Sequence, residues 1–166
     1  PKGVVTHHRA AYLNACGNAL AFELSPRSVY LWTLPMFHCN GWTYTWAVTL
    51  QGGTHVCLRR VEPAAIFTAI AEHGVTHMCG APVVMATLLD TPAEHKRDLL
   101  HQVQFIVAGA PPPEAVLAAM REAGFAVLHV YGLTECYGPS VVNEWHAEWN
   151  ALPASDQAKL MARQGV

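Results

Sequence analysis

Apolar and polar positions follow two rhythms along this chain, and each change of rhythm marks an element. The run "SVYLWTLPM", Ser28 to Met36, is β-branched and aromatic, is stopped by Pro35, and reads as a strand. "THVCLR" from Thr54, "VTHMCG" from Val75, "VQFIVAG" from Val103 and "AVLHV" from Ala126 are short apolar runs of the same kind. Between them the period lengthens. "THHRAAYLNACGNALAFEL" sets Tyr12, Ala15 or Cys16, Ala19 and Phe22 or Glu23 at helical spacing, with Thr6 able to cap its start. "EPAAIFTAIAEHG" is a helix with Pro63 in its first turn, Ile66 and Ile70 on one face, and Gly74 as its stop. "APVVMATLLD" opens with Pro82 and stacks Val84 over Leu88 and Met85 over Leu89, while "PPPEAVLAAMREAG" begins with prolines and ends at Gly124. "GWTYTWAVTLQGG" fits both rhythms: Trp42, Tyr44 and Trp46 alternate as in a strand, yet Trp42, Trp46 and Leu50 have helical spacing. A helix ending at Gly52 is the expectation there. The charged stretch "TPAEHKRDL" reads as a loop with a short helical turn.

Strands that alternate with helices and are apolar on both faces belong in a parallel sheet with helices packed on each side, so the fold class is α/β. Ligands of such sheets sit at the carboxyl ends of the strands. That geometry gathers "PMFHCNG", "GAP" at Gly80 to Pro82, "GAPPP" at Gly109 to Pro113 and "YGLTE" at Tyr131 to Glu135 along one rim. The last of these follows "AVLHV" directly. Gly132 alone could end that strand, which leaves Tyr131, Thr134 and Glu135 over from the structural accounting as candidates for chemistry. Each also has a plain structural role open to it: Tyr131 as a strand-end aromatic, Glu135 as a solvated turn residue, His38 as an ordinary pocket histidine, Trp42 as core. Trp46 reads as core.

Composition narrows the classes. The 166 residues are 52% apolar, enough for a full core, and the apolar runs are broken well before the length of a membrane helix. With no charged apolar leader at the start, a cytoplasmic location without a transmembrane segment is expected. A net charge of −2 lacks the basic face that broad nucleic-acid binding needs. Five cysteines, odd in number and mostly within apolar runs, read as reduced core thiols. Ten histidines invite a metal-binding module, with His73, His77 and Cys79 close in sequence. Gly74 interrupts the helix that a His73–His77 ligand pair would need, and no CxxC or HExxH spacing occurs. The start on "PKGVV" and the ending "ARQGV" read as an excised piece of a longer chain: a partial α/β domain over residues 1–150 and a connecting helical segment over 151–166 leading to a missing remainder.

Four motifs in order, "PKGVVTHHR", "PMFHCNGW", "GAPPP" and "YGLTECYGP", resemble those of the adenylate-forming enzymes: acyl-CoA synthetases, luciferases and adenylation domains. The resemblance covers nearly the whole chain, and "PMFHCNGW" with "YGLTECYGP" is most similar to the fatty-acid and methylthioalkanoate CoA ligases. It implies the large N-terminal AMP-binding domain of an AMP-forming acyl-CoA synthetase. ATP and a carboxylic acid would give acyl-adenylate, and coenzyme A would then displace AMP. Lys2 and Gly3 resemble the tail of the family's phosphate loop, without its hydroxyl-rich part. Gly109, Ala110 and Pro111 inherit the adenine-holding backbone. In "YGLTE" the resemblance implies that Tyr131 stacks on adenine, Gly132 lets the ligand approach, Thr134 meets phosphate and Glu135 holds Mg²⁺. His38 and Trp42 match positions near the acyl carboxylate and along the acyl pocket, with an acid of short or medium length expected. The family's ribose-binding aspartate, hinge and C-terminal lysine are not in this sequence, so the fragment alone is expected to be inactive. A non-catalytic nucleotide-binding module is the alternative reading.

Overall fold

Six strands form one sheet in the order β2-β1-β3-β4-β5-β6 in the computed structural model, which describes residues 3–165. Chain order runs α1 (His8–Ala21), β1 (Val29–Trp32), a single turn α2 (Cys39–Trp42), α3 (Tyr44–Leu50), β2 (Thr54–Cys57), α4 (Pro63–His73) and β3 (His77–Gly80). It continues through α5 (Pro82–Leu89), β4 (Val103–Val107), α6 (Glu114–Glu122), β5 (Phe125–Leu133), β6 (Gly138–Val142) and α7 (Ala154–Met161). The first five strands are parallel, and β6 returns antiparallel beside β5.

Alternation within each strand feeds two cores, one on each face of the sheet. Leu31, Met78, Phe105, Val107 and Phe125 pack with α4, α5, α6 and Met161 of α7 on one side. Tyr30, Trp32, Cys79, Ile106 and Val130 pack with α1 and α3 on the other. A strand between two apolar layers must be apolar at both parities, which is why these strands read as unbroken hydrophobic runs. The helix stops behave as expected: Gly74 ends α4 at φ 62° and Gly124 follows α6 at φ 92°.

Four local expectations are corrected. The start of α1 is capped by His7, whose Nδ1 accepts from the Arg9 amide, in place of Thr6. Gly132 does not stop β5, which runs on to Leu133 because β6 supplies a partner there. Trp46 is 47% exposed, since α3 turns it outward while Tyr44, Ala47 and Val48 face the core. Of the five cysteines, which are all free thiols, Cys79 is buried and Cys57 and Cys136 are exposed. Within residues 151–166, read as a connecting helical segment, Ala154–Met161 forms α7; Asn143 Nδ2 donates to the Leu160 carbonyl at 2.7 Å, and His129 Nδ1 lies 2.9 Å from the Ala162 carbonyl.

Two histidines are built into this core in the neutral form. His77 donates from Nε2 to the Phe22 carbonyl at 2.9 Å and has Thr76 Oγ1 at 2.7 Å from Nδ1, and burial pushes its pKa below 6.5. His129 donates from Nδ1 to Ala162, leaves Nε2 buried without a partner, and is shifted down by burial in the same way. Both take up a proton more readily in the unfolded chain, so the stability they contribute is complete above pH 6.5 and is lost as the pH falls below it. The thermal unfolding midpoint should therefore drop between about pH 7.5 and about pH 5.5, with a shallower slope for His77→Gln. A midpoint independent of pH across that window would contradict the neutral, buried assignment.

Candidate active site

The cleft at the carboxyl end of the sheet is assembled from three stretches distant in sequence. The loop leaving β1 contributes His38, Cys39 and Trp42, the end of β4 contributes Ala108 and Gly109, and the β5–β6 hairpin contributes Val130, Gly132, Gly138 and Pro139. Its cavity of about 60 Å³ is room for roughly four water-sized groups, the scale of a carboxylate with a short tail. A larger cleft of about 320 Å³, lined by Arg121, Trp145 and Met161, holds none of the motif residues.

The backbone of the β1 loop is unusual. Cys39, Asn40, Gly41, Trp42 and Thr43 all have positive φ, between 43° and 72°. An ordinary residue in that region costs about 1–2 kcal/mol, so Cys39, Trp42 and Thr43 persist there only where neighbours hold them. Gly41 is required on two counts. Its φ is 63°, and a Cβ there would lie 2.7 Å from the Trp32 ring. Trp32 is itself fixed at the end of β1 by donating from Nε1 to His55 Nδ1 at 3.0 Å and by stacking on that ring. The close approach lets Trp42, 6% exposed, fold back over the core with its edge in the cleft.

Across the cleft, Gly132 lies opposite Pro139, and the register breaks between Tyr131 and Gly132 so that Ser140 has no partner. A Cβ on Gly132 would meet the Gly138 carbonyl oxygen at 2.0 Å. The hairpin closes at this point only because residue 132 has no side chain. Strand alternation turns Val130 into the core and leaves Tyr131 39% exposed on the opposite side. Thr134 and Glu135 stand exposed in a short 3-10 turn, Thr134–Cys136, at the tip of the hairpin.

The structure thus brings His38, Trp42, Gly109 and Gly132 into one cavity, with Tyr131, Thr134 and Glu135 on the adjoining hairpin. Ala110 and Pro111 continue the exposed loop after β4. Gly3 is exposed ahead of α1 with open space around it, and Lys2 lies outside the described residues. The Gly80–Pro82 turn does not line the cavity. Sequence reasoning missed Cys39, Gly138 and Pro139 as lining residues, and Asn14, Asn40, Thr43 and Tyr137 as their supports. The dipeptide Asn40-Gly41 carried the usable signal, because both residues tolerate positive φ.

The histidine and cysteine cluster does not form. His73 ends α4 on one face of the sheet, His77 points at Phe22 on the other, and Cys79 Sγ lies 2.6 Å from the Tyr30 hydroxyl with its pKa pushed up to about 12 by burial. Among the described residues, no three of His, Cys, Asp and Glu gather as a metal cage. A single exposed carboxylate is a different matter: Glu135 joins no ion pair among the described residues and has a hydroxyl beside it at Thr134. A magnesium ion, which keeps several waters and takes one or two carboxylates with phosphate oxygens, fits that arrangement.

The family model for AMP-binding enzymes matches residues 1–163. The chain belongs to that family. Among its relatives, acetate–CoA ligase CCL3 of Humulus lupulus is 51% identical over 167 residues, spanning all of this chain and 29% of that protein. Acetate/butyrate–CoA ligase AAE7, peroxisomal, of Arabidopsis thaliana is 50% identical over the whole chain and 29% of its own length. The chain spans less than a third of the length of these relatives. The N-terminal domain of FACL13 from Mycobacterium tuberculosis superposes with a TM-score of 0.81 at 25% identity, covering 95% of this chain and 38% of that one. O-succinylbenzoate coenzyme A synthetase from Bacillus subtilis, in complex with ATP and magnesium ion, gives a TM-score of 0.74 at 28% identity over 90% of this chain and 30% of that one. These likenesses agree with the α/β fold and with the adenylate-forming family expected from the motifs. Among the described residues, no helix is long and apolar enough to cross a membrane.

The close approach at Gly132 generates a direct test. Gly132→Ala should destabilise the chain by about 3 kcal/mol, the upper end of overpacking costs, because backbone on both strands must move. Chemical denaturation measures it, and a loss below about 0.5 kcal/mol, within the range of ordinary surface changes, would show that the hairpin is looser than this geometry requires.

Proposed function

We propose that this chain is the portion of an AMP-forming acyl-CoA synthetase that holds the adenylate and the acyl carboxylate, and that its acid is short. The observation that carries this reading is the single small cavity in which the β1 loop, the end of β4 and the β5–β6 hairpin meet. Support also comes from relatives whose names specify acetate and butyrate.

The roles follow from geometry and chemistry. Adenine presents a flat π face, which the exposed ring of Tyr131 can cover, while the backbone at Gly109, Ala110 and Pro111 edges the base. Gly132 removes any side chain where the α-phosphate and the acid must meet. Thr134 donates its hydroxyl to a phosphate oxygen, and Lys2 with Gly3 would belong to the loop around the outer phosphates. Glu135 would hold Mg²⁺, which when bound offsets negative charge on the phosphates. The acid lies with its carboxylate near His38 and its tail against Trp42. In the first half-reaction a carboxylate oxygen attacks the α-phosphorus and pyrophosphate leaves. In the second, the thiol of coenzyme A attacks the acyl carbon and AMP leaves. Nothing in either step asks for an enzyme nucleophile, and the work of these residues is positioning and charge stabilisation. Both the cytosol and the peroxisomal matrix suit such a reaction.

In the ligase containing this chain, Tyr131→Ala should raise the KM for ATP far more than that for the acid, measured by pyrophosphate release. Equal effects on both would remove the ring from the adenine. Trp42→Ala should shift the preferred acid toward longer or bulkier tails, because each extra buried methylene is worth about 0.8 kcal/mol. An unchanged chain-length profile in a folded variant would return Trp42 to the core alone, and a ligase with no acid-dependent pyrophosphate release would overturn the reading as a whole.

A further inference from the structure

Tyr137 lies just beyond the "YGLTE" run, is buried, and lines no part of the cleft. Its backbone is left-handed at φ 64°. Its hydroxyl accepts from Asn40 Nδ2 at 2.9 Å and from Trp46 Nε1 at 2.8 Å, one donor within the left-handed loop and one on the helix that follows it. Its carbonyl oxygen lies 2.5 Å from Thr43 Oγ1, which is also 2.7 Å from Asn14 Oδ1. Asn14 in turn donates from Nδ2 to the Pro139 carbonyl at 2.9 Å. A further tie runs from Cys39 Sγ to Thr134 Oγ1 at 3.3 Å.

These contacts share a pattern. Cys39, Asn40 and Thr43 of the strained segment each reach the hairpin that carries Tyr131, Gly132, Thr134 and Glu135. The Tyr137 hydroxyl is the centre of the set, because Asn40 and Trp46 both spend an N–H on it and no second acceptor replaces it. We propose that Tyr137 is a positioning residue for the acid site: its hydroxyl fixes the left-handed loop so that His38 and Trp42 stand at one distance from the nucleotide hairpin. It touches neither substrate. Acid recognition is thereby made to depend on a residue of the hairpin, while the adenine side, built from Tyr131 and the β4 loop, does not need it. The assignment to an acid site rests on the ligase reading above.

Tyr137→Phe keeps the ring and removes only the acceptor. In the isolated chain, amide hydrogen exchange should quicken over residues 38–43 and remain unchanged over β3 and β4. In the ligase, the same variant should raise the KM of the acid by about tenfold, the change that losing one to two ordinary hydrogen bonds gives, with the KM of ATP within about twofold. Asn40→Ala should reproduce the effect on the acid, since it removes the other end of one bond. Unchanged exchange over residues 38–43 overturns the positioning role whatever the enzyme does. Equal rises in both KM values, or an unchanged KM for the acid, overturn its link to the acid site. An unmutated ligase with no acid-dependent pyrophosphate release defeats the ligase reading alone, and the exchange measurement then still decides whether Tyr137 holds the loop. Should Tyr137→Phe fail to fold, Asn40→Ala and Trp46→Phe carry the same two measurements.

Discussion

The left-handed run from Cys39 to Thr43 is the constraint around which the rest of the site is arranged. Cys39, Trp42 and Thr43 are residues that ordinarily avoid this region, and their unfavourable backbone conformations together amount to about 3–6 kcal/mol, a large fraction of the stability of a small domain. Such a segment cannot hold itself. It needs a wall behind it, which Trp32 and Gly41 provide by direct contact, and partners in front of it, which the hairpin provides through polar bonds. What the strain secures is direction. The segment sets Trp42 between the core and the cleft.

The sheet answers that demand by changing its own rule at one edge. Five parallel strands place their carboxyl ends on a common rim. An antiparallel β6 sends the chain back under the rim, so that Gly138 and Pro139 face the loop from β1. The unpartnered Ser140 lets the ladder twist at that turn, as bulges commonly do next to functional sites.

Fold class and the succession of strands and helices were legible in the sequence because burial on both faces leaves a plain mark: apolar residues at both parities in Leu31, Met78 and Phe105 and their neighbours. Three of the motif stretches meet at one cavity, through His38 and Trp42, Gly109, and Gly132, whereas Gly80–Pro82 does not line it. The sequence was less informative about β6, where "GPSVV" is short, holds a glycine and a proline, and is a strand only because Tyr131 and Val130 lie beside it. Trp46 was misjudged for a related reason. An indole is apolar enough to suggest a core, yet its N–H needs a partner, and Tyr137 supplies one at the surface. The positive φ values from Cys39 to Thr43 arise from packing against Trp32 and Tyr137, contacts with residues distant in sequence, so local propensity could mark only Asn40 and Gly41.

The five tryptophans are divided between two separate neighbourhoods. Trp32, Trp42 and Trp46 surround the left-handed loop, while Trp145 and Trp149 stand edge to face, 5.3 Å apart, beyond the far end of β5 with Arg121 over the first of them. The indoles near the loop differ in setting: Trp42 is almost dry, and Trp46 is half in water with its N–H engaged. Intrinsic fluorescence from this chain is therefore the sum of a pair remote from the cleft and a trio around the left-handed loop, of which Trp42 lines the cleft. Quenching by a soluble agent would reach Trp46 before Trp42, giving the loop an optical signature without any attached dye.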